Sequence, residues 1–365
     1  MITIAAPIIG KEETDAVNEV LRSGMLAQGP KVAELEQAFA DYCGTKYGLA
    51  LNSGTAAIHA ALHAAGVGAG DEVITTPFSF IATINPILMQ GARPVLVDID
   101  ESTYNIDPAL VKNAITPKTK AIIAVDLYGQ PADWDELRAI ADEHNIVLIE
   151  DACQAIGAEY KGRKAGSLAD IACFSLYATK NVMCGEGGAI TTDNEEYVTA
   201  IKSFRQHGMV APYEYEGLGF NYRLTDLQAA IAVEQLKKVD AFTAARQKNA
   251  AALNQQLKGT PDIVIPTVAD DRTHVYHQYT IRLTGGHDRA ALIDFLRSKD
   301  VGCGVYYPKG LHTYPHIAKL GYNQGDFPIA EQVASTVLSL PVHPGVTESD
   351  VQTITEVVIE GLNNA

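Results

Sequence analysis

The strongest structural signal in the sequence is the run Ile-Val-Leu-Ile-Glu-Asp at residues 146–151. Four apolar residues lead without a polar break into two carboxylates, which is typical of a strand buried on both faces of a parallel sheet. A carboxylate at the end of such a strand is partly desolvated, so it needs a cationic partner or a functional reason, unless it only caps a turn. The run therefore predicts a covered sheet with an acid, Asp151, at its edge.

Similar short apolar runs occur on both sides of this one, and helical patterns separate them. One pattern places Trp134, Leu137, Ile140 and Ala141 on a single face after Asp133, a suitable N-cap. Alternating strands and helices predict an α/β fold whose large domain has a mainly parallel sheet. The other strands are predicted at residues 48–51, 72–75, 94–98, 121–126 and 171–176.

The C-terminal third has a different pattern. A long helix is predicted from Leu224 to Lys258, followed by a Gly-Thr-Pro break. A strand at 276–283, a helix at 289–299 and a last helix after Thr347 predict a smaller α+β C-terminal domain. The chain is therefore expected to form two domains: residues 1–245, which begin with an N-terminal arm at 1–15, and residues 246–365.

Composition narrows the function classes. The 365 residues include 28 Lys and Arg and 44 Asp and Glu, so the formal net charge is -16. Nucleic-acid binding depends on Lys and Arg that neutralise phosphates, so no nucleic-acid partner is expected. The five cysteines form no C-x-x-C pair, and the N-terminus lacks both a signal-peptide pattern and a long apolar span. We therefore expect a soluble cytoplasmic protein with no membrane segment and no metal site.

Two further segments place polar residues and glycines at strand ends. Asn-Ser-Gly-Thr at 52–55 follows one predicted strand and opens a helix, where it could bind a phosphate or act as a simple N-cap. Lys180 lies between the strand at 171–176 and the turn Gly-Glu-Gly-Gly at 185–188. Most lysines are solvated surface charges, but a lysine buried here with a lowered pKa is suited to forming a Schiff base.

Five motifs occur in order along nearly the whole chain. They are Asn-Ser-Gly-Thr at 52–55, Pro-Phe-Ser-Phe-Ile-Ala-Thr at 77–83, Glu-Asp-Ala-Cys-Gln-Ala at 150–155, Phe-Ser with Lys-Asn and Gly-Glu-Gly-Gly within 174–188, and Asn-Tyr-Arg-Leu-Thr-Asp-Leu-Gln-Ala-Ala at 221–230. Together they resemble the DegT/DnrJ/EryC1/StrS family of nucleotide-sugar aminotransferases. The resemblance implies a pyridoxal-phosphate enzyme of fold type I, the aspartate aminotransferase-like fold. A branch of the family that dehydrates sugars has histidine in place of the lysine, so the intact Lys180 favours transamination.

The resemblance also implies roles for individual residues around the cofactor. Lys180 corresponds to the lysine that holds pyridoxal phosphate and moves protons, and Asp151 to the acid that pairs with its pyridine nitrogen. Gln154 corresponds to the residue beside the 3-oxygen. Phe80 corresponds to the aromatic ring that stacks on the pyridine, although it would also suit a plain core position.

Further residues are implied around the phosphate and the substrate. The phosphate is expected to contact Gly54, Thr55 and Ser175, and Asn221 is expected to reach it from the neighbouring subunit of a homodimer that shares its active sites. Positions near the family's substrate pocket correspond to His207, Arg223 and His312. A hydrogen-bonded structural histidine is an equal alternative at both histidines, and Arg223 would equally suit the start of a helix.

The predicted reaction transfers the amino group of L-glutamate to a nucleotide-linked keto-sugar. A 4-keto-6-deoxy hexose is favoured, with a 3-keto sugar second. One alternative is a fold-type I transaminase that acts on a cyclitol or on a simple ketone or aldehyde, in which the N-terminal arm and residues 210–217 would set the difference. The other is a catalytically silent regulatory protein that binds the cofactor, and the retention of Lys180, Asp151 and Gln154 argues against it.

Overall fold

The computed structural model describes residues 1–364 and is built around one large sheet and one small sheet. Strands of two or three residues also form two separate two-stranded sheets. The strands, in chain order, are β1 (Tyr47–Leu51), β2 (Glu72–Thr75), β3 (Arg93–Leu96), β4 (Thr119–Val125), β5 (Val147–Asp151), β6 (Glu159–Tyr160), β7 (Arg163–Lys164), β8 (Ile171–Ser175), β9 (Gly188–Thr192), β10 (Met209–Ala211), β11 (Glu214–Tyr215), β12 (Ile263–Val264), β13 (Tyr279–Leu283) and β14 (Val337–Leu340).

Helices connect most of the strands and cover both faces of the large sheet. They are α1 (Lys11–Ser23), α2 (Pro30–Cys43), α3 (Gly54–Ala64), α4 (Asn85–Met89), α5 (Pro108–Ala114), α6 (Trp134–His144), α7 (Glu195–Phe204), α8 (Asp226–Leu236), α9 (Val239–Leu257), α10 (Arg289–Ser298), α11 (Pro315–Ala318), α12 (Pro328–Thr336) and α13 (Glu348–Asn364).

The large sheet has the strand order β1-β9-β8-β5-β4-β2-β3. The five strands from β8 to β3 pair in parallel, while β9 is antiparallel to both of its neighbours, β1 and β8. The predicted α/β class with a mainly parallel sheet is therefore confirmed. Strand β9 was not predicted, because its Gly-Ala-Ile-Thr-Thr sequence directly follows glycines that were assigned to a turn.

Two buried clusters fill the space on the two faces of this sheet. One contains Leu35 and Phe39 of α2 and Trp134 of α6, and the other contains Ile58 of α3 and Phe204 of α7. The burial of continuous apolar strands between helices is the main source of stability in this architecture. It fixes the carboxyl ends of β5 and β8 side by side at one edge.

The C-terminal part forms a second unit with its own core. The antiparallel strands β12, β13 and β14 pack against α9, α10 and α13 around buried residues such as Leu253, Leu292, Leu338 and Val358. This is the smaller α+β unit that the sequence predicted. The boundary at residues 245/246 falls inside the continuous helix α9 and stays a prediction.

The predicted helix from Leu224 to Lys258 is interrupted in the structure. Helix α8 ends at Leu236 and α9 begins at Val239, so two lysines lie between them. The physical reason is packing: α8 is buried against α1 and α2 of the large unit, whereas α9 turns away to cover the small sheet.

The N-terminal residues contact both units. Ile2 pairs with Val301 of the small unit, while Glu13 in α1 is buried and accepts hydrogen bonds at 2.7 Å from Gln235 and from Lys238. The segment predicted as an N-terminal arm therefore spans from one unit to the other. Within residues 1–364, no helix is both long enough and apolar enough to cross a membrane.

Candidate active site

A cavity of about 420 Å³ opens at the carboxyl ends of β5 and β8. Ligands bind at this edge in open α/β sheets, and the volume lies within the range of small-molecule sites. The structure brings seven of the sequence-predicted residues together in its lining. These are Gly54, Thr55, Phe80, Asp151, Gln154, Ser175 and Lys180.

One wall of the cavity is the first turn of α3. The Ser53 hydroxyl accepts the N–H of Ala56 at 3.1 Å and so caps the helix. A Cβ atom on Gly54 would lie 2.9 Å from the Cβ of Ser175 and 3.1 Å from the Sγ of Cys153, so only glycine permits this close approach. The result is a tight cradle at a helix N-terminus, with the dipole and the free N–H groups of the first turn, and it fits a phosphate.

Asp151 ends β5 and is almost completely buried. Its Oδ2 accepts a hydrogen bond from the hydroxyl of Thr83 at 2.8 Å, and its Oδ1 accepts a longer one from the N–H of Cys153 at 3.3 Å. A buried carboxylate that also lines a cavity is suited to pairing with a cationic nitrogen of a ligand.

Lys180 lies in the connection between β8 and β9, which is closed by backbone hydrogen bonds. The N–H of Leu176 donates to the carbonyl of Gly187 at 2.8 Å, and the N–H of Lys180 donates to the carbonyl of Tyr177 at 2.8 Å. Desolvation lowers the pKa of the Lys180 ammonium below its ordinary value, and the negative charge of Asp151 opposes that shift. A lower pKa favours the neutral amine that covalent and proton-transfer chemistry needs.

Gln154 bridges two parts of the cavity wall. Its Oε1 accepts the N–H of Tyr128 at 2.9 Å, and its Nε2 donates to the hydroxyl of Tyr307 at 3.3 Å. Burial raises the pKa of Tyr307, so its hydroxyl stays protonated at neutral pH. The ring of Phe80 lies 6.1 Å from the Tyr307 ring, and Phe80 is 55% exposed at the mouth of the cavity.

Several lining residues were not predicted from the sequence. Tyr306 and Tyr307 come from the segment before α11, and His277 comes from the segment before β13. The Nδ1 of His277 lies 3.3 Å from the Oδ1 of Asn181, and burial, with the nearby charge of Lys180, depresses its pKa well below the ordinary value. Neither tyrosine lies in one of the five motifs, so the sequence did not indicate that they line the cavity.

Four sequence-predicted residues do not line this cavity. Asn221 and His207 are exposed and Arg223 is partly exposed, all in the segment between α7 and α8. His312 is fully buried, and its Nε2 lies 2.9 Å from Glu331, so its position gives no support to a substrate contact. Their functional roles stay predictions.

The lining residues suit pyridoxal phosphate chemically. The α3 cradle could hold an anion, Asp151 could accept a hydrogen bond from a protonated ring nitrogen, and Phe80 offers an aromatic face. The Lys180 amine, with its lowered pKa, could form the Schiff base with the aldehyde of the cofactor. Within the described residues 1–364, no group of His, Cys, Asp and Glu side chains is arranged to hold a metal ion.

Comparisons with known proteins agree with this chemistry. The model of the DegT/DnrJ/EryC1/StrS aminotransferase family matches residues 7–359. A pleiotropic regulatory protein of Geobacillus stearothermophilus is 45% identical, with 94% of this chain and 92% of that protein aligned. GDP-perosamine synthase of Caulobacter vibrioides is 41% identical, with 97% of this chain and 96% of that protein aligned. The UDP-2-acetamido-2-deoxy-3-oxo-D-glucuronate aminotransferase of Pseudomonas aeruginosa is also 41% identical, with 94% of each chain aligned.

A solved structure gives the same result for the fold. The chain superposes on DesV of S. venezuelae, determined in complex with a ketimine intermediate, with a TM-score of 0.92 and 37% identity over 96% of this chain and 94% of that one. The fold is therefore that of the fold-type I enzymes, and the cofactor is pyridoxal phosphate. The chain is a pyridoxal-phosphate-dependent aminotransferase and belongs to the DegT/DnrJ/EryC1/StrS aminotransferase family.

Proposed function

We propose that this enzyme transfers the amino group of L-glutamate to a nucleotide-linked keto-sugar. The observation that carries the proposal is the convergence of Lys180, Asp151 and the Gly54 cradle on one open cavity. The names of two relatives, a GDP-perosamine synthase and a UDP-linked 3-oxo-sugar aminotransferase, support a nucleotide sugar as the acceptor. We favour a 4-keto-6-deoxy hexose, with a 3-keto sugar as the second candidate.

Each lining residue has a defined part in this reaction. The bound cofactor supplies an electron-withdrawing ring next to the reacting carbon. Asp151 would hold a proton on the ring nitrogen, and the α3 cradle with Ser175 would hold the phosphate. Lys180 would act as the base that removes the proton from the α-carbon of glutamate and as the acid that returns it.

Phe80 and Tyr307 line one wall of the cavity, where the Phe80 ring would stack on the ring of the bound cofactor. Gln154 is held by Tyr128 and Tyr307, and its amide would lie beside the 3-oxygen of the bound cofactor. The half-exposed Phe80 leaves the mouth open for a substrate much larger than an amino acid.

The active site is proposed to be shared in a homodimer. Asn221 is exposed and lies outside the cavity of its own chain, and its carbonyl oxygen accepts a hydrogen bond from the Asn52 side chain at 3.2 Å. Nearby exposed apolar side chains support an interface on this side of the molecule, because large apolar side chains clustered at a surface favour protein contacts. They are Val210, Tyr213, Tyr215 and Leu218.

A half-reaction tests the aminotransferase step directly. Purified enzyme mixed with L-glutamate should change its visible absorption as the cofactor accepts the amino group, and 2-oxoglutarate should form in equal amount. A protein that only binds the cofactor, as a regulatory role would require, would show neither the absorption change nor 2-oxoglutarate.

The five free cysteines, four of them buried, support the cytoplasmic location predicted above.

A panel of acceptors then tests the substrate class. The aminated enzyme should be returned to its starting spectrum by UDP-, dTDP- or GDP-linked keto-sugars, with 4-keto-6-deoxy and 3-keto compounds tested in parallel. Cyclitol ketones and simple aldehydes are the comparison set. Turnover with those compounds and none with nucleotide sugars would refute the proposed acceptor while leaving the transaminase intact.

A further inference from the structure

Two buried hydroxyl groups stand in line behind the Asp151 carboxylate. The hydroxyl of Thr83 lies 2.8 Å from Oδ2 of Asp151, and the hydroxyl of Ser79 lies 2.8 Å from that of Thr83. Both residues are 1% exposed. They come from a segment that shares no strand or helix with Asp151, so tertiary packing alone brings the three side chains together.

The direction of these hydrogen bonds follows from the groups involved. An ionised carboxylate only accepts, so Thr83 must donate its single proton to Asp151. Thr83 then has only lone pairs for Ser79, and Ser79 must donate to Thr83. The chain Ser79 to Thr83 to Asp151 therefore has one polarity, and each donor makes the next one stronger.

The arrangement leaves one side of Asp151 for the cavity. Oδ2 accepts the short bond from Thr83, whereas the backbone hydrogen bond that Oδ1 accepts from the N–H of Cys153 is longer, at 3.3 Å. The same segment also presents Phe80 to the cavity. The segment 79–83 thus carries both the aromatic side chain that lines the cavity and the hydroxyl groups that orient Asp151.

We infer that Thr83, oriented by Ser79, is a positioning residue that holds the Asp151 carboxylate turned toward the ring nitrogen of the cofactor. The inference rests on the proposed pairing of Asp151 with that nitrogen. Thr83 itself donates to the acid and acts only through it. Without the hydroxyl, Oδ2 would be a buried oxygen with no donor, and the carboxylate would hold the shared proton more tightly. The ring would then lose positive charge and withdraw electrons less strongly.

The test compares three substitutions in the holoenzyme. Thr83→Val keeps the shape and removes the donor, Thr83→Ser keeps the donor, and Thr75→Val removes another buried hydroxyl, which donates to the carbonyl of Ile123 at 2.9 Å and does not touch Asp151. We expect Thr83→Val to slow the single-turnover reaction with L-glutamate by about tenfold or more, the scale of one lost hydrogen bond to a charged group. The other two variants should stay near the wild-type rate.

A spectroscopic measurement separates positioning from general damage. In Thr83→Val, the pH at which the visible absorption of the bound cofactor changes should move to a higher value, because a less positive ring makes the lysine–cofactor linkage easier to protonate. Thr83→Ser should restore the wild-type titration, and Thr75→Val should not disturb it. An unchanged titration in a folded Thr83→Val holoenzyme would overturn the inference.

A double-mutant cycle with Asp151→Asn distinguishes the inference from the function on which it rests. If Thr83 acts through Asp151, adding Thr83→Val to Asp151→Asn should change the rate less than about twofold. A full additive loss contradicts the inference, and a harmless Asp151→Asn contradicts the proposed pairing itself. If Thr83→Val does not fold, Ser79→Ala is the second variant: it should shift the absorption titration in the same direction, and no shift would overturn the inference.

Discussion

Gly54 and Ser175 approach so closely that a methyl group on Gly54 would lie 2.9 Å from the Cβ of Ser175. Gly54→Ala should therefore push the α3 cradle away from the strand end and weaken binding of pyridoxal phosphate by about tenfold or more, the effect of losing one charge-assisted hydrogen bond. Equilibrium titration of the apoenzyme with the cofactor measures this. Gly68→Ala is the control, because nothing lies within 4 Å of a Cβ there. Equal affinity in both variants would contradict the proposed phosphate site.

Lys180 is expected to carry the cofactor covalently. Its position in the cavity and its lowered pKa make it the amine best suited to forming a Schiff base with an aldehyde. Borohydride reduction of the yellow holoenzyme, followed by peptide mass spectrometry, should place the cofactor mass on Lys180. Apoenzyme treated in the same way is the control and should carry no label. A label on another lysine would refute the assignment.

Asp151→Asn should cripple transamination while leaving much of the cofactor bound. Asparagine cannot hold a positive charge on the ring nitrogen as a carboxylate does, so the glutamate half-reaction should slow by about a hundredfold, the usual cost of removing a preorganised electrostatic group. Stopped-flow absorption measures the rate. The control is Glu150→Gln, since the Glu150 carboxylate accepts the N–H groups of Gly166 and Leu168 and does not line the cavity. A near-normal rate in Asp151→Asn would contradict the proposal that Asp151 pairs with the ring nitrogen.

Asn221 is expected to act on the active site of the partner subunit. Chains with Lys180→Ala and chains with Asn221→Asp should each form inactive homodimers. In a mixed dimer, one site combines an intact lysine with an intact asparagine, so an equal mixture should recover about a quarter of wild-type activity. Subunit exchange is confirmed with differently tagged chains. No recovery after verified exchange would mean that Asn221 acts within its own chain or not at all.

Glu13 is expected to link stability to pH. Burial alone would raise its pKa, but hydrogen bonds from Lys238, the Gly10 N–H and Gln235 outweigh that effect and hold the pKa at about 2, below the ordinary 4.5. Because the folded-state pKa is the lower one, ionised Glu13 stabilises the protein above pH 4.5, and this contribution is lost as the pH falls toward 2.

The matching experiment is thermal unfolding of Glu13→Gln. At pH 7 the variant should be less stable than the wild type by roughly 1–2 kcal/mol. This difference in the free energy of unfolding should become smaller as the pH falls below 4.5, the ordinary pKa of glutamate. Glu12→Gln is the control, because Glu12 meets the same Lys238 at the surface and should change little. A difference that stays constant with pH would contradict the assigned ion pair.

The sequence predicted the parts of the fold that are encoded locally. The apolar run that ends at Asp151 is a buried strand, and the Ser53 cap begins a helix where the pattern indicated. The same local logic located Lys180 beside a glycine turn. The resemblance to a known family then implied the role of each residue at these positions.

The remaining features depend on contacts between distant segments. Strand β9 follows glycines, and it becomes a strand because residues 47–51 and 171–175 pair with its two edges. Thr83 ends the motif at 77–83, but that motif does not indicate that its hydroxyl contacts Asp151, and Tyr307 lies in none of the five motifs. Only the folded chain places Thr83 beside Asp151 and Tyr307 beside Gln154. His312 is also placed by a distant contact, because its side chain is buried against Glu331, and its role at the substrate stays a prediction.

The reversed direction of β9 has a consequence for the lysine. A parallel connection would need a long crossover that leads the chain away, whereas the antiparallel return after β8 keeps the linking segment at the same edge. The segment 176–187, which carries Lys180, therefore begins and ends at the same edge of the sheet and is fixed at both ends by strand pairing. Backbone hydrogen bonds restrict the movement of this segment, so the amine changes position mainly by rotation about the bonds of its own side chain. We expect that inserting one residue into the segment would misplace the amine without unfolding the sheet.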